Sequence, residues 1–174
     1  MDGAGSSSAS LASRMWSREH QIAFAQATGD VNPMHMDAQA ARRTLAGGQA
    51  VHGVHAALWA LDACADAYPL ARLSTLQMRF ERFVLVGDRS ELVVHEADAR
   101  RLRLSLSVDG VRVTTIQAAL GDERPHAQPV DAAAEAIPVE PITVEPETIT
   151  GASGAFRLPE PEAIAALVPR LARA

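Results

Sequence analysis

Thr28-Gly29-Asp30-Val31-Asn32-Pro33-Met34-His35 is the stretch on which the reading of this chain turns. Upstream of it, Ser17 caps a short helix that runs through Ala27, with Glu19 in the first turn and Gly29 as the stop. Downstream, Pro33 pushes Asn32 toward an extended conformation, so Asp30 to Asn32 read as a turn-rich loop. Asp30 and His35 therefore lie five positions apart in a loop of restricted geometry. An imidazole with an ordinary pKa near ~6.5 can accept a proton from a water that a nearby carboxylate orients. The same spacing also fits a buried Asp–His pair that only pins the loop.

Working outward, Asp37 is placed to cap a second short helix, Ala38 to Leu45, which stops at Gly47-Gly48. A longer helix is expected from Gly53 to Ala67, with Val54, Leu58, Leu61 and Ala65 on one apolar face and Ala57 and Cys64 widening it. Trp59 lies off that stripe, which points to a helix covered on most sides. The period then changes from helical to alternating. Leu73 to Val86 reads as one long strand, Glu91 to Glu96 as a second and Arg101 to Val108 as a third. In the third, Leu102, Leu104, Leu106 and Val108 share one face, and Arg101, Arg103, Ser105 and Ser107 the other. Asp109-Gly110 is a hairpin signal, and Val111 to Leu120 is the returning strand. Helices first and antiparallel strands after them imply an α+β domain over residues 11–122.

The ends differ in composition. Residues 1–10 are rich in Gly, Ser and Ala and are expected to form a flexible arm. Five prolines between Pro125 and Pro146 mark residues 123–158 as a linker or wrapping arm. Residues 159–174 regain an amphipathic helical stripe at Ile164, Leu167, Val168 and Leu171, kinked by Pro169.

Composition limits the functions open to the chain. A formal charge of −5 and an apolar content of 48% describe an acidic protein with a real core. Nucleic-acid binding needs a basic face and is not expected. The single cysteine, Cys64, cannot form an internal disulfide and reads as a small core residue. The first residues have neither a basic start nor an apolar run, and no stretch approaches the ~20 apolar residues of a membrane span, so a cytoplasmic location without membrane contact is expected.

The match around the loop extends beyond the two side chains. Phe24 to Asp37, followed by Ala41, resembles the signature segment of the MaoC-like (R)-specific enoyl-CoA hydratase/dehydratase family. Val51-His52-Gly53 resembles the family's second marker, and Phe80 followed by Val84-Leu85-Val86-Gly87-Asp88 resembles its third, at the end of a strand. Met34 and Phe83 depart from the usual branched aliphatic and proline, and the last fifty or so residues have no counterpart in a minimal member. The resemblance implies a hotdog fold, in which a curved antiparallel sheet wraps around one long helix. It implies Asp30 and His35 as the catalytic pair, acting on a coenzyme A or acyl carrier protein thioester with no metal or other cofactor. It also implies two hotdog units working together, as a homodimer or with a second unit.

Gly53, at the start of the long helix, lets a thioester carbonyl approach a backbone N–H that can stabilise an enolate oxygen, or it serves helix packing. Asn32 and His52 are expected to support the loop. His55 either faces the acyl pocket or faces solvent. Arg101 and Arg103 either meet the phosphates of coenzyme A or form the solvated side of their strand. The reaction implied is reversible hydration of trans-2-enoyl thioesters to (R)-3-hydroxyacyl thioesters. A non-catalytic acyl-binding or assembly subunit, docking through Ile164, Leu167 and Leu171, and an acyl-thioesterase are the alternatives.

Overall fold

A computed structural model describes residues 10–68, 70, 73–121 and 161–173. Residues 1–9 of the arm and the whole proline-rich segment 123–158 lie outside the described residues. The chain runs β1 (Ser10–Met15), α1 (Arg18–Thr28), α2 (Pro33–Met36), α3 (Ala38–Ala41), α4 (Gly53–Cys64), β2 (Leu73–Phe80), β3 (Arg89–Ala97), β4 (Arg101–Val108), β5 (Val111–Leu120) and α5 (Pro161–Leu167). Its five strands form one antiparallel sheet in the order β1-β3-β4-β5-β2.

The β4–β5 hairpin follows from its residues. Asp109 and Gly110 both take positive φ, 49° and 74°, as a two-residue hairpin turn requires. That turn sets the register, which pairs Leu104 with Ile116. Both side chains are fully buried, together with Leu92, Leu102 and Leu106. The opposite face carries Arg101 and Arg103 into solvent.

Helix α4 packs on the apolar face of the sheet. Ala56, Ala57, Ala60, Leu61 and Cys64 form its buried side and share one core with Leu92, Leu102, Leu104 and Leu106 of the sheet. Burial pushes the Cys64 thiol up to about 11, so it stays protonated as a core residue. Val54 is the one exposed residue in α4, at 46%. The buried side is therefore rotated from the expected stripe, because Val54 faces a pocket and the small alanines face the sheet. The helix also stops at Cys64, with turns through Ala67.

Three other expectations are corrected. The first strand was not anticipated: β1 is an edge with exposed Leu11 and Met15, and its pairing with β3 creates it. The helix capped by Asp37 ends at Ala41, well short of Leu45, which is fully exposed. The strand expected over Leu73 to Val86 ends at Phe80, where the N–H groups of Glu81 and Arg82 both point at the Val113 carbonyl, at 2.8 and 3.2 Å. After this break the chain serves another purpose. Val84 accepts the Val51 N–H at 2.8 Å and Val86 donates to Gln49 at 2.9 Å, fixing the segment that leads into α4. The Gly87-Asp88 marker thus lies in the connection between β2 and β3. Gly87 adopts φ 102°, and Asp88 Oδ2 accepts the Leu85 N–H at 2.7 Å.

At the other end of the chain, α5 lies against α1. Asp62 of α4 accepts the N–H groups of Arg170 and Leu171 at 2.7 and 3.0 Å. Val168 is buried and Leu171 packs on the core, so this apolar stripe covers its own domain.

Candidate active site

The loop between α1 and α3 is held by its own polar side chains before any tertiary contact is made. Gly29 takes φ 76° and donates to the Ala25 carbonyl at 2.8 Å, ending α1. Asn32 caps α2, its Oδ1 accepting the Met34 N–H at 3.0 Å, and Pro33 fills the first helical position. Asp30 Oδ1 accepts the Asn32 N–H at 3.3 Å. Asn32 therefore acts within the loop, as its sequence position suggests.

Tertiary contacts then aim the imidazole. His35 Nδ1 lies 2.9 Å from the Ala50 carbonyl oxygen, which can only accept, so Nδ1 carries the proton in the neutral ring. Nε2 keeps its lone pair. Gln49 Nε2 donates to the His35 carbonyl at 2.6 Å, and the Ala50 N–H donates to the Met34 carbonyl at 3.1 Å. The segment that precedes α4 thus holds the loop from below.

His52 joins the two segments. Its backbone N–H donates to Gln21 Oε1 at 3.0 Å, and its Nδ1 lies 2.8 Å from the same oxygen. Its Nε2 lies 3.1 Å from the Asp30 carbonyl and 3.8 Å from Asp30 Oδ2. The ring is buried at 2% exposure. Burial is the main influence lowering its pKa, and His35 adds to it, against the raising effects of the Asp30 carbonyl and carboxylate. Both nitrogens of His52 face acceptor oxygens, so the neutral ring donates from only one of them, whereas the single such contact of His35 is at Nδ1.

Asp30, His35 and His52 each present a donor atom within 4.8 Å of the others. That is a span one water bridges with two ordinary hydrogen bonds. The same three side chains can also offer one ligand atom each, the lower number of protein ligands in zinc sites.

These groups line one end of a pocket of about 650 Å³. Phe24, Val51, Val54, Ala56, Phe80 and Val84 supply apolar walls. Gly53 lies at the start of α4, where N–H groups have no acceptor inside the helix. A Cβ at Gly53 would meet the Phe80 ring at 3.0 Å. Both readings of this glycine are therefore accommodated, a close backbone approach and a tight packing contact.

Other side chains fall elsewhere. His55 faces neither pocket nor solvent: it is 1% exposed, stacked on Phe24 at 4.8 Å and edge-on to Trp16 at 5.1 Å. Neither of its ring nitrogens has a partner, and burial pushes its pKa down to about 3. Arg101 and Arg103 project from the outer sheet face, away from Asp30 and His35, and Arg103 lies 3.8 Å from Glu96. Sequence reasoning missed Gln21, which is fully buried between Phe24 and the helix start. A polar residue at helical spacing with buried Phe24 and Ala25 was the available signal. It also missed Arg82, the arginine that does line the pocket.

Known proteins resemble this chain in sequence profile and fold. The profile of the family described as "MaoC like domain" matches residues 6–118. No curated protein matches the chain. The R-hydratase PhaJ1 of Pseudomonas aeruginosa is similar in structure, with 26% identity, a TM-score of 0.51 and 63% of this chain covering 76% of that one. The (R)-hydratase of A. caviae involved in PHA biosynthesis is similar at 24% identity and a TM-score of 0.50, with 62% and 89% of the two chains covered. The HadBC (3R-hydroxyacyl-ACP dehydratase) complex of Mycobacterium tuberculosis shares the fold at 18% identity and a TM-score of 0.52, with 63% and 90% covered. With its profile match spanning well over half of the sequence, the chain belongs to the MaoC-like dehydratase family, and its α+β architecture is a hotdog fold.

Proposed function

We propose that this chain hydrates trans-2-enoyl thioesters reversibly to (R)-3-hydroxyacyl thioesters. The carrying observation is that Asp30 and His35 stand within reach of one shared water and line a largely apolar pocket. In the forward direction His35 Nε2 takes a proton from that water as its oxygen bonds to C3 of the enoyl group. The electron pair moves onto the thioester oxygen, where the Gly53 N–H stabilises it. His35 then returns that proton to C2 as the enolate collapses, which restores the neutral imidazole. Asp30 orients the water and supports the positive charge that develops on His35. No redox change occurs, and the step as written uses no metal.

The carrier is coenzyme A or acyl carrier protein, and two hotdog units are expected to work together. Supporting that pairing, β2 is a sheet edge, and Phe80 and Phe83 beside the pocket are 49% and 48% exposed. Among the described residues no helix is long and apolar enough to cross a membrane. The test is loss of enoyl-thioester absorbance with the full chain, compared with Asp30→Ala and His35→Ala. Equal inertness of wild type and variants across chain lengths would sink the proposal. Release of free thiol in place of hydration would favour the thioesterase reading.

A further inference from the structure

Arg82 owes its position to the irregularity that ends β2. Two consecutive N–H groups, of Glu81 and Arg82, meet the single carbonyl of Val113. Two residues facing one partner is the geometry of a bulge, which re-aims the side chains that follow. Glu81 stays on the outer face, where its carboxylate accepts from Arg112 Nε at 3.1 Å and Thr115 Oγ1 at 2.7 Å. Arg82 instead lines the pocket that contains Asp30, His35 and Gly53. It also lines an adjoining concavity of about 500 Å³, shared with Ala46, Phe80, Phe83, Leu85 and Glu81, whose carboxylate is already paired with Arg112. It therefore stands at the boundary between the two.

Arg82 differs from other arginines of the sheet in its charge pairing. Among the described residues no carboxylate pairs with its guanidinium, unlike Arg103 and Arg112, and the side chain is exposed. No other arginine lines the pocket. In a chain of net charge −5, an anionic ligand entering there meets a repulsive overall field and one local cation. A guanidinium binds phosphate through paired hydrogen bonds, a geometry an ammonium does not reproduce.

We infer that Arg82 binds the phosphate of the phosphopantetheine arm that carries the acyl thioester, with the arm crossing from the Asp30–His35 pocket into the adjoining concavity. This inference rests on the hydratase reading above. It assigns to Arg82 the phosphate contact that Arg101 and Arg103, on the opposite sheet face, are not placed to make.

The experiment compares one enoyl group on pantetheine, on 4′-phosphopantetheine and on coenzyme A, using the full chain and the variants Arg82→Ala and Arg82→Lys. For Arg82→Ala, KM on the two phosphorylated carriers should rise about tenfold or more, as expected for a lost charge-assisted contact, with kcat unchanged. KM on pantetheine should not move, and Arg82→Lys should fall between. Added salt should weaken binding of phosphorylated carriers to wild type and have less effect on Arg82→Ala. Equal shifts on all three carriers, or none, would overturn the assignment. A shift on coenzyme A alone would also overturn it, by moving the contact to the nucleotide phosphates. If wild type turns over none of them, the hydratase reading fails, and Arg82 is judged by equilibrium binding of coenzyme A. Weaker binding by Arg82→Ala then supports the phosphate contact, and equal binding, or none by wild type, refutes it.

Discussion

The imidazoles of His35 and His52 lie stacked, their ring centres 4.1 Å apart and their planes 28° from parallel. Two histidines that are close neighbours in space differ in their hydrogen bonding. His52 is buried between two acceptor oxygens, Gln21 Oε1 at Nδ1 and the Asp30 carbonyl at Nε2, whereas His35 is held at Nδ1 and keeps Nε2. His35→Ala should reduce kcat by about 10²–10⁴-fold, the usual worth of a general base, with little change in the thermal midpoint. His52→Ala should behave differently, lowering stability by about 1–3 kcal/mol because it strands the buried Gln21 side chain and frees the Asp30 loop. Denaturation midpoints measured beside kcat separate the two. Equal profiles for both variants would refute the division of labour.

His55 makes the fold sensitive to acid. Its folded pKa is depressed to about 3, against an ordinary value near 6.5 that the unfolded chain keeps. The unfolded state therefore binds the extra proton first. Above pH 6.5 this group adds no pH dependence, and stability falls as pH drops from there toward 3, by up to about 1.4 kcal/mol per pH unit. Arg14, His20 and His52 add to the depression. His55→Phe, which keeps a ring between Phe24 and Trp16, should flatten the acid limb of a stability profile measured by urea unfolding. An unchanged limb would place the acid sensitivity elsewhere.

Gly53 faces the Phe80 ring so closely that alanine needs the ring to shift, by a few tenths of an ångström at least. Phe80 is half exposed and can give way, so Gly53→Ala should leave the protein folded. Its kcat/KM should nonetheless fall by about 10²-fold, because displacement of the thioester by a methyl group spoils the approach to the N–H. Adding Phe80→Ala relieves the contact. If that double variant recovers full activity, the role of Gly53 is packing alone.

Leu104 and Ile116 pair across the two central strands, both at 0% exposure. Replacing either with alanine should cost about 2–5 kcal/mol, read from chemical denaturation. A smaller loss would mean that the small alanines of α4 allow the sheet to close on the cavity.

Asp62 tests whether the C-terminal stripe is committed to its own domain. Asp62→Ala removes the acceptor for the Arg170 and Leu171 N–H groups and should cost about 1 kcal/mol while speeding proteolytic removal of residues 161–174. Faster proteolysis without any change in assembly would count against a docking role for Ile164 and Leu167.

Local chemistry made much of this protein legible in its sequence. Ser17 and Gly29 bound α1, Asp109-Gly110 forms the hairpin, and the Leu102-Leu104-Leu106 alternation selects the buried face, because each depends on nearby residues. The loop with Asp30, Asn32 and His35 was readable for the same reason, since its caps lie within two or three residues. Tertiary structure decided the remainder. Strand β1 exists through its pairing with β3, and the bulge at Glu81 and Arg82 forms against Val113 far along the chain. Gln21 reaches His52 across thirty-one positions, and only folding could show that His55 is enclosed by aromatic rings. A turn is set by bonds its own residues can make, whereas the free nitrogen of His35 and the placement of Arg82 depend on which distant carbonyl the fold brings beside them.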